Sequence, residues 1–412
     1  MGAGLAGLSA AMTLAEAGYA VTLSEAARHA GGRCRSYHDP KLGQVIDNGN
    51  HLVLSGNARV AAYLRRIGAS DRLAGPAEAS FDFADLRDAT RWRLRPNDGL
   101  LPWWIASPSR RVPGTRARDY LPLVRIAGSG ADETLADRMP TRGALWTRLL
   151  EPLFVAALNT PPATASAKLA GAIVAGTLAK GGRACRPLVA SPTLSAAFID
   201  PALAWLADHG AQIRFGRRLR AIEQADGQLG ALLFDEAEPV EPAEPVVLAV
   251  PPWVAAELMP GLTVPDRHHA IVNAHFALPP PPGTPLITGV IGGTAEWIFA
   301  LPDRLSVTIS AADHLCDEER EPLAARIWSD VAAALRLDTP LPPWQIVRER
   351  RATFAATPDQ DRRRPGPATG LANLFLAGDW TQTGLPATIE GAIISGERAA
   401  AAAIAKGHHV SN

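Results

Sequence analysis

The first residues of the chain carry glycines at a spacing suited to binding a pyrophosphate. The chain begins Met-Gly-Ala-Gly-Leu-Ala-Gly and continues with apolar residues at helical spacing. In such a turn Gly2 forms the bend, Gly4 lets the backbone approach the phosphates, and Gly7 lets the helix pack closely on a sheet. The amides of Leu5 and Ala6, at the start of the helix, would then hold phosphate oxygens.

An acidic residue and a second glycine-rich loop follow at the distances that a dinucleotide-binding fold requires. Glu25 lies 18 residues after Gly7, where a carboxylate accepts hydrogen bonds from ribose hydroxyls. Gly31-Gly32-Arg33 begins six residues later and combines a flexible loop with a guanidinium suited to phosphate oxygens. This extension is typical of flavoproteins, so the pattern favours FAD over NAD.

A second candidate cofactor-binding segment lies near the other end of the chain. A short apolar strand over residues 373–377 leads into Gly378-Asp379. An Asp at the carboxyl end of a strand is where open α/β sheets contact ligands, and its carboxylate can accept hydrogen bonds from ribityl hydroxyls. A helix beginning near Thr388 would direct its positive end at the pyrimidine ring of a flavin.

The composition indicates a folded protein of two lobes. The chain has 412 residues, 41 basic and 41 acidic side chains, and 47% apolar residues. This balance excludes a disordered chain, and zero net charge argues against a nucleic-acid-binding protein. The three cysteines are isolated, which predicts neither a disulfide nor a metal site and indicates a reducing compartment. No apolar run is long enough to span a bilayer, so we expect a cytoplasmic protein.

The elements that position these motifs predict an α/β fold. We expect a Rossmann-like FAD-binding domain from residues 1–75, 195–255 and 360–412. A discontinuous α+β substrate domain would come from residues 76–194 and 256–359. Alternation over residues 81–96 predicts a hairpin, and a helix is expected over residues 194–209.

The first strand of the nucleotide-binding sheet is expected to be missing. The glycine-rich turn normally follows a buried strand, and only Met1 stands before Gly2. We therefore expect a start site assigned too late. A form extended upstream by about one strand length should bind FAD better.

Four motifs together resemble the two-domain flavin oxidoreductases that include amine oxidases, protoporphyrinogen oxidase and carotenoid desaturases. They occupy residues 47–51, 156–162, 249–252 and 378–391, and the similarity runs through essentially the whole chain. Within that group the chain is most similar to the hydroxysqualene dehydroxylase family of bacterial hopanoid biosynthesis. One departure from its pattern is Asn50, where Gln is expected.

The resemblance implies a position for each half of the cofactor. On the adenosine side, Glu25 would bind the ribose and Leu219 would contact adenine through its backbone. Gly32 and Arg33 would lie near the phosphates. On the flavin side, the implied contacts are Gly49, Gly378, Asp379, Ile389 and Glu390.

The reaction implied by the resemblance is reductive removal of the hydroxyl of hydroxysqualene, giving squalene. A proton donor would make hydroxide a better leaving group. His51 and Asp47 are the candidates because they flank the segment expected beside the flavin, although either could instead serve only packing or turn formation. A carotenoid-type desaturase and an amine or protoporphyrinogen oxidase remain alternatives.

The implied partner is an apolar isoprenoid, and no nucleic acid is expected. The sequence leaves open a peripheral contact with the inner face of the membrane. It also leaves open an association with other enzymes of squalene biosynthesis.

Overall fold

The computed structural model describes the backbone of residues 1–410 and the side chains of residues 1–406. The helices are α1 (Leu5–Glu16), α2 (Ala58–Arg66), α3 (Pro122–Ile126), α4 (Leu135–Arg138), α5 (Glu151–Leu158), α6 (Ala167–Gly176), α7 (Asp200–Asp208), α8 (Pro252–Leu258), α9 (Arg320–Leu335), α10 (Pro358–Arg362) and α11 (Ile389–Val410).

The strands are short in the cofactor-binding part and longer in the large sheet. They are β1 (Thr22–Ser24), β2 (Ser36–Asp39), β3 (Gln44–Asp47), β4 (Leu52–Leu54), β5 (Leu73–Ala74), β6 (Phe81–Asp85), β7 (Thr90–Leu94), β8 (Pro187–Ala190), β9 (Gln212–Arg214), β10 (Ala221–Ala225), β11 (Gln228–Leu233), β12 (Ala237–Pro239), β13 (Val246–Leu248), β14 (His268–Phe276), β15 (Ile287–Ile291), β16 (Trp297–Leu301), β17 (Arg304–Ile309), β18 (Trp344–Phe354) and β19 (Leu374–Leu376).

Two parallel strand pairs flank the beginning of the chain. Strand β1 pairs with β9, and β13 pairs with β19. Met1 and Gly2 lie between the pairs, since Gly2 N donates to Ser24 O at 2.7 Å and Met1 N donates to Val247 O at 2.7 Å. Ala249 N returns a hydrogen bond to Met1 O at 2.8 Å. Two residues therefore occupy the position between β1 and β13 where the sequence analysis expects a strand.

Helices α1 and α11 pack closely beside these strands. A methyl group at Gly396 of α11 would lie 2.1 Å from the carbonyl oxygen of Ala6 in α1. The helix backbones therefore approach each other more closely than any larger residue would allow. This contact joins the two terminal segments that carry the predicted cofactor-binding residues.

A seven-stranded sheet forms the centre of the second lobe. Its strand order is β18-β14-β17-β16-β15-β6-β7, and only the β15–β6 pair is parallel. The hairpin predicted over residues 81–96 is confirmed as β6 and β7, paired from Phe81–Leu94 to Asp85–Thr90.

The two faces of the large sheet have different coverings. Alternate side chains on one face, including Val272 and Val307, pack against Leu323 and Ile327 of α9. On the other face, aromatic residues such as Phe83 join a core with the helical segment that contains α5 and α6. The end of this second face that carries β14, β17 and β18 meets the loop after β3.

The helix predicted over residues 194–209 begins as a π-helical turn, Ser195–Ile199, and continues as α7. Pro201 is the second residue of α7. Because proline has no N–H to donate, the hydrogen bonds before it shift and the turn widens. The π-helical turn Trp146–Leu150 before Pro152 has the same relation to α5.

The α/β fold class is confirmed. One lobe contains a mixed β-sheet, and the other contains the two parallel strand pairs beside the glycine-rich turn. The predicted division into residues 1–75, 195–255 and 360–412 against residues 76–194 and 256–359 remains a prediction. Strand β8 pairs with β4 and β5 across one of those boundaries. Among the described helices, none is both long enough and apolar enough to cross a membrane.

Candidate functional site

The glycine-rich turn before α1 is built around backbone contacts. Gly2 has a φ of +97°, and a methyl group there would lie 2.3 Å from the carbonyl oxygen of Ala249. A methyl group at Gly7 would lie 1.8 Å from the carbonyl oxygen of Gly2. At Gly4, in contrast, a methyl group would meet no protein atom within 4 Å. The turn therefore needs glycine at positions 2 and 7 for packing, and leaves open space at Gly4.

The open space at Gly4 fits the pyrophosphate of a dinucleotide. Leu5 and Ala6 lie in the first turn of α1, where backbone N–H groups have no partner within the helix. Gly32 has a φ of +55°, and a methyl group built on it would lie 3.6 Å from the Cα of Gly4. Two glycines, free amides and the positive end of a helix form a cradle for phosphate groups.

The predicted adenosine contacts lie on one side of this cradle. The two carboxylate oxygens of Glu25 accept hydrogen bonds from Ala3 N at 2.7 Å and Ala27 N at 2.8 Å. Arg217 N donates to Glu25 O at 2.8 Å, so the segment before β10 runs past Glu25. Leu219, half-buried, follows two residues later. The chain thus brings Glu25 and the Leu219 segment together, as an adenosine site requires.

Arg33 and Asp379, from opposite ends of the chain, form an ion pair. Arg33 Nη2 lies 2.6 Å from Asp379 Oδ1, and Arg33 Nη1 donates to Ala352 O at 2.5 Å. The Asp379 side chain is 7% exposed and that of Arg33 is 43% exposed. The ion pair therefore joins the second glycine-rich loop, Gly31-Gly32-Arg33, to the Gly378-Asp379 segment.

The bend at Gly378 requires glycine. Its φ is +147°, and a methyl group there would lie 2.3 Å from Trp380 Nε1. Gly378 N donates to Ser395 Oγ of α11 at 2.5 Å, and the buried Trp380 ring donates to Val250 O at 2.9 Å. These contacts fix the backbone on both sides of Asp379.

The start of α11 carries Ile389 and Glu390. The carboxylate of Glu390 accepts hydrogen bonds from Arg59 N at 3.0 Å and Val60 N at 2.8 Å, both in the first turn of α2. Its side chain is therefore engaged as a helix cap. The backbone amides of Ile389 and Glu390, at the positive end of α11, are the groups suited to a contact with a flavin ring.

Asp47 is buried and held by several donors. Its Oδ1 accepts from Ser36 Oγ at 2.6 Å and from Leu194 N at 3.0 Å, and Oδ2 lies 3.6 Å from Arg304 Nη2. Burial raises the pKa of the Asp47 carboxyl group above its usual value, against the opposing effect of these partners. The geometry favours an anchoring role for Asp47, between β2, the residues before α7 and the start of β17.

His51 lies four residues after Asp47, beside Cys34. Its Nε2 is 4.0 Å from Cys34 Sγ. Burial, with a further contribution from the charge of Arg33, lowers the pKa of His51 to about 4. Burial also raises the pKa of the Cys34 thiol to about 12. Both side chains are therefore uncharged at neutral pH, and His51 can offer a neutral imidazole N–H.

The loop between Asp47 and His51 is tied to the large sheet. A methyl group at Gly49 would lie 3.0 Å from Asn273 Nδ2 of β14. Asn50 Nδ2 donates to Thr308 Oγ1 at 3.1 Å, and Asn50 N donates to Asn273 Oδ1 at 3.3 Å. Asn48 Nδ2 reaches Glu349 Oε2 at 3.3 Å. Three side chains of the large sheet therefore hold this loop.

The family model for flavin containing amine oxidoreductases matches residues 5–404. The chain belongs to this amine oxidoreductase family. It is an FAD-dependent oxidoreductase, and the resemblance predicted from its motifs is confirmed.

Across the described residues, no three His, Cys, Asp or Glu side chains are arranged to hold a metal ion.

Within the amine oxidoreductase family, relatives similar to this chain over nearly their whole length are named hydroxysqualene dehydroxylase. The protein of that name from Rhodopseudomonas palustris is 53% identical over 409 residues, which is 99% of this chain and 98% of the relative. The protein from Sinorhizobium fredii is 52% identical over 407 residues, with 98% of each chain covered.

Solved amine oxidoreductase structures share the fold. Cyclohexylamine oxidase from Brevibacterium oxydans has a TM-score of 0.69 at 14% identity, covering 100% of this chain and 98% of that one. Putrescine oxidase bound to putrescine has a TM-score of 0.67 at 17% identity, with 98% of each chain covered.

Arg364 fixes the backbone around Asp379, and no sequence motif pointed to it. Its side chain is fully buried and donates to the carbonyl oxygens of Asp379 at 3.2 Å and Thr381 at 2.6 Å. Its charge is balanced by Asp361, whose Oδ1 lies 2.8 Å away. Three arginines in a row usually indicate a solvated surface, so nothing in the local pattern distinguished the one that turns inward.

The Asn-Thr-Pro-Pro segment after α5 joins elements of the second lobe. Asn159 has a φ of +46° and is 2% exposed. Its Nδ2 donates to His269 O at 3.1 Å and Thr353 Oγ1 at 2.9 Å, and its Oδ1 accepts from Ala311 N at 2.6 Å. This segment, one of the four on which the resemblance rests, therefore has a structural explanation in helix capping and sheet attachment.

Proposed function

We propose that this enzyme removes the hydroxyl group of hydroxysqualene to give squalene, in a reaction that consumes reduced FAD. The observation that carries the proposal is the 53% identity over 99% of the chain to a hydroxysqualene dehydroxylase. The family and fold by themselves are shared with amine oxidases, so the substrate is inferred from the near full-length relatives.

The two ends of the chain would hold the cofactor. The turn containing Gly2, Gly4 and Gly7 fits the pyrophosphate, with the amides of Leu5 and Ala6 as donors. Glu25 and the backbone of Leu219 would bind the adenosine, and Gly32 and Arg33 would lie near the phosphates.

The flavin end would rest on residues from both lobes. Asp379 would accept a ribityl hydroxyl, and the loop at Gly49 would allow the ring system to approach. The Gly378 bend and the amides of Ile389 and Glu390 would border the pyrimidine edge. When bound and reduced, FAD supplies the hydride that dehydroxylation requires.

The protein must also help the hydroxyl group to leave. Loss of hydroxide from an allylic carbon leaves a delocalised cation, and hydrogen bonding or proton transfer to the oxygen lowers the barrier. We propose that His51 donates a hydrogen bond to this oxygen from its neutral imidazole, as its pKa of about 4 dictates. Asp47 would fix the loop that carries His51, through Ser36 and Arg304.

The substrate itself offers almost nothing to hydrogen-bond. An isoprenoid of thirty carbons must therefore be bound mainly by apolar burial, at about 25 cal/mol per Å². We propose that residues 76–194 and 256–359 supply that apolar surface. The aromatic face of the large sheet, with Phe83, Trp297 and Phe299, supports this location because it lies on the side of the Gly49 loop.

We further propose that the enzyme works as a cytoplasmic protein at the inner face of the membrane. A long hydrocarbon partitions into lipid, so substrate would arrive from the bilayer or from a neighbouring enzyme of squalene biosynthesis.

The proposal is tested by incubating the purified protein with hydroxysqualene and reduced flavin under anaerobic conditions, and in parallel with phytoene and oxidised flavin. Product analysis should identify squalene in the first reaction and no desaturated product in the second. Desaturation of phytoene without squalene formation would identify a carotenoid-type desaturase instead.

A further inference from the structure

Large apolar side chains are exposed together on one part of the surface. Eight such side chains among the described residues are at least 37% exposed, and five of them lie between residues 100 and 124. These five form what is called here the apolar patch: Leu100 (75%), Leu101 (81%), Trp103 (55%), Leu121 (65%) and Val124 (72%).

The two segments that contribute to the apolar patch lie side by side. The buried rings of Trp104 and Tyr120 meet edge to face, with centroids 5.3 Å apart. Tyr120 is followed directly by Leu121 at the start of α3, and Val124 comes one turn later on the same side. The exposed ends of both segments are therefore carried on one packed base.

The loop that presents the leucines is held in place. Asn97 is buried, and its Oδ1 accepts from Trp104 N at 3.2 Å. Its Nδ2 donates to Gly99 O at 3.2 Å and to Leu101 O at 3.0 Å. These hydrogen bonds fix the backbone of the loop that carries the exposed Leu100 and Leu101, so the apolar side chains are displayed by an ordered segment.

The surroundings of the apolar patch are basic. Six arginines and two aspartates lie between residues 95 and 125. The guanidinium of Arg110 lies over the ring of Trp103, 4.7 Å from its centroid. Arg118 and Arg125 are exposed, and neither belongs to an ion pair among the described side chains. Exposed arginines beside exposed apolar side chains are complementary to a lipid surface, where anionic headgroups lie above the hydrocarbon.

Two backbone hydrogen bonds lie between the loop of the apolar patch and the segment that follows His51. Gly182 N donates to Asn97 O at 2.7 Å, which joins the base of the leucine loop to residues 182–184. Gly56 N donates to Ala184 O at 3.0 Å, and Gly56 is five residues from His51. Backbone hydrogen bonds therefore link the base of the leucine loop, through residues 182–184, to the segment that follows His51.

We infer that the apolar patch inserts into the headgroup region of an anionic lipid bilayer, with the surrounding arginines contacting lipid phosphates. A Trp at the edge of exposed leucines suits the boundary between water and lipid. A second copy of this chain is a poorer occupant, because a two-fold contact would bring the same unpaired arginines together. The inference deepens the proposed membrane contact and does not depend on which reaction the enzyme catalyses.

The test is flotation of the purified holoenzyme with vesicles of phosphatidylcholine, with and without phosphatidylglycerol. The variant Leu100→Ser/Leu101→Ser removes the most exposed apolar side chains without touching the buried base. Val45→Ser is the matched control, since Val45 is 43% exposed on β3 and lies outside the apolar patch. Arg118→Gln/Arg125→Gln tests the charge separately.

Wild-type protein and Val45→Ser should float with vesicles that contain phosphatidylglycerol. The double-leucine variant should bind at least about tenfold more weakly, and the double-arginine variant about fivefold more weakly per charge, with the difference vanishing at high salt. The flavin absorbance of each variant reports that it is folded.

Three results would overturn the inference. The wild-type protein could fail to float with either vesicle, or the double-leucine variant could float as well as wild type. Light scattering could instead show that the double-leucine change converts a dimer to a monomer without altering vesicle binding, which would identify an interface between copies. Turnover of hydroxysqualene dispersed in detergent, measured separately, tests the proposed reaction independently of docking.

Discussion

At the scale of single residues, Asp379 connects the two ends of the chain through its ion pair with Arg33. It is nearly buried, its carboxylate lies 2.6 Å from Arg33, and Arg364 fixes its backbone from behind. This arrangement leaves one carboxylate oxygen for a ligand while the other neutralises a guanidinium. A carboxylate held in this way is suited to accept a hydroxyl hydrogen bond with little loss of freedom.

Asp379→Ala should weaken FAD binding, on the order of tenfold to a hundredfold, because a charge-assisted hydrogen bond contributes about 1.5–3 kcal/mol. The measurement is the dissociation constant of FAD for the apoprotein, followed by flavin fluorescence. Asp235→Ala is the control, since Asp235 pairs with Arg220 on an exposed surface. Unchanged FAD affinity in Asp379→Ala would rule out a ribityl contact.

His275, on β14, is fully buried, and its Nδ1 lies 2.6 Å from Ser306 Oγ. Burial, with the charge of Arg304, lowers its pKa to about 3. The folded state therefore favours the neutral imidazole of His275. As the pH falls, the unfolded state, with a pKa near 6.5, takes up a proton at a higher pH than the folded state does. His275 contributes its full stability above about pH 6.5 and loses it as the pH falls toward 3, at about 1.4 kcal/mol per pH unit.

His275→Gln should reduce the acid-side slope of the free energy of unfolding by about that amount. Urea unfolding at several pH values between about 6.5 and 4 measures the slope. His314→Gln, a change at an exposed histidine, should leave it as in wild type. Equal slopes for His275→Gln and wild type would show that the protonation of His275 does not differ between the folded and unfolded states.

At the scale of elements, the turn into α1 contains two glycines that packing requires, Gly2 and Gly7, and a third, Gly4, that we propose contacts the ligand. Gly7→Ala places a methyl group 1.8 Å from a carbonyl oxygen, so the fold itself should lose about 1–3 kcal/mol or more. Gly4→Ala meets no protein atom. It should keep the melting temperature of the apoprotein near that of wild type while the affinity for FAD falls on the order of tenfold.

Calorimetry of the apoproteins and FAD titrations distinguish these two effects. Gly176→Ala is the control, because Gly176 ends α6 and a methyl group there also meets no protein atom. It should leave both quantities close to wild type. If Gly4→Ala binds FAD normally, the space beside Gly4 is not where the pyrophosphate lies.

Asn159 offers a test of how α5 is attached to the large sheet. Asn159→Ala removes three hydrogen bonds and puts alanine in a left-handed conformation. The free energy of unfolding should fall by at least about 3 kcal/mol, because buried partners are left unpaired. Asn159→Gly should be more stable than Asn159→Ala by about 1 kcal/mol, because glycine adopts the left-handed conformation without strain. It should not restore the stability that the lost hydrogen bonds contributed. A loss below about 1 kcal/mol in Asn159→Ala, measured by urea unfolding, would contradict this account.

The elements that the sequence predicted best are those with local patterns. The glycine turn, the β6–β7 hairpin and the strand before Gly378 follow from spacing and apolar alternation within a few residues. Arg364 and the Asn50–Thr308–Asn273 contacts could not be predicted, because they depend on which distant segments the fold brings together. The Asp47 carboxylate likewise looked available for catalysis until its buried partners Ser36 and Leu194 were seen.

At the scale of the whole molecule, the proposed cofactor site draws residues from both chain ends and borders the second lobe. The Gly49 loop is held by Asn273 and Thr308 of the large sheet, so the lobes cannot separate without disturbing it. This coupling predicts that FAD binding raises the melting temperature of both lobes in one transition.

The central claim is that the enzyme transfers reducing equivalents to hydroxysqualene. A single-turnover experiment tests it most directly: the holoprotein is photoreduced without oxygen, mixed with hydroxysqualene and followed by flavin absorbance and by product analysis. Flavin should be reoxidised as squalene forms, in equal molar amounts. If flavin stays reduced in the presence of excess hydroxysqualene and no squalene forms, the claim is contradicted.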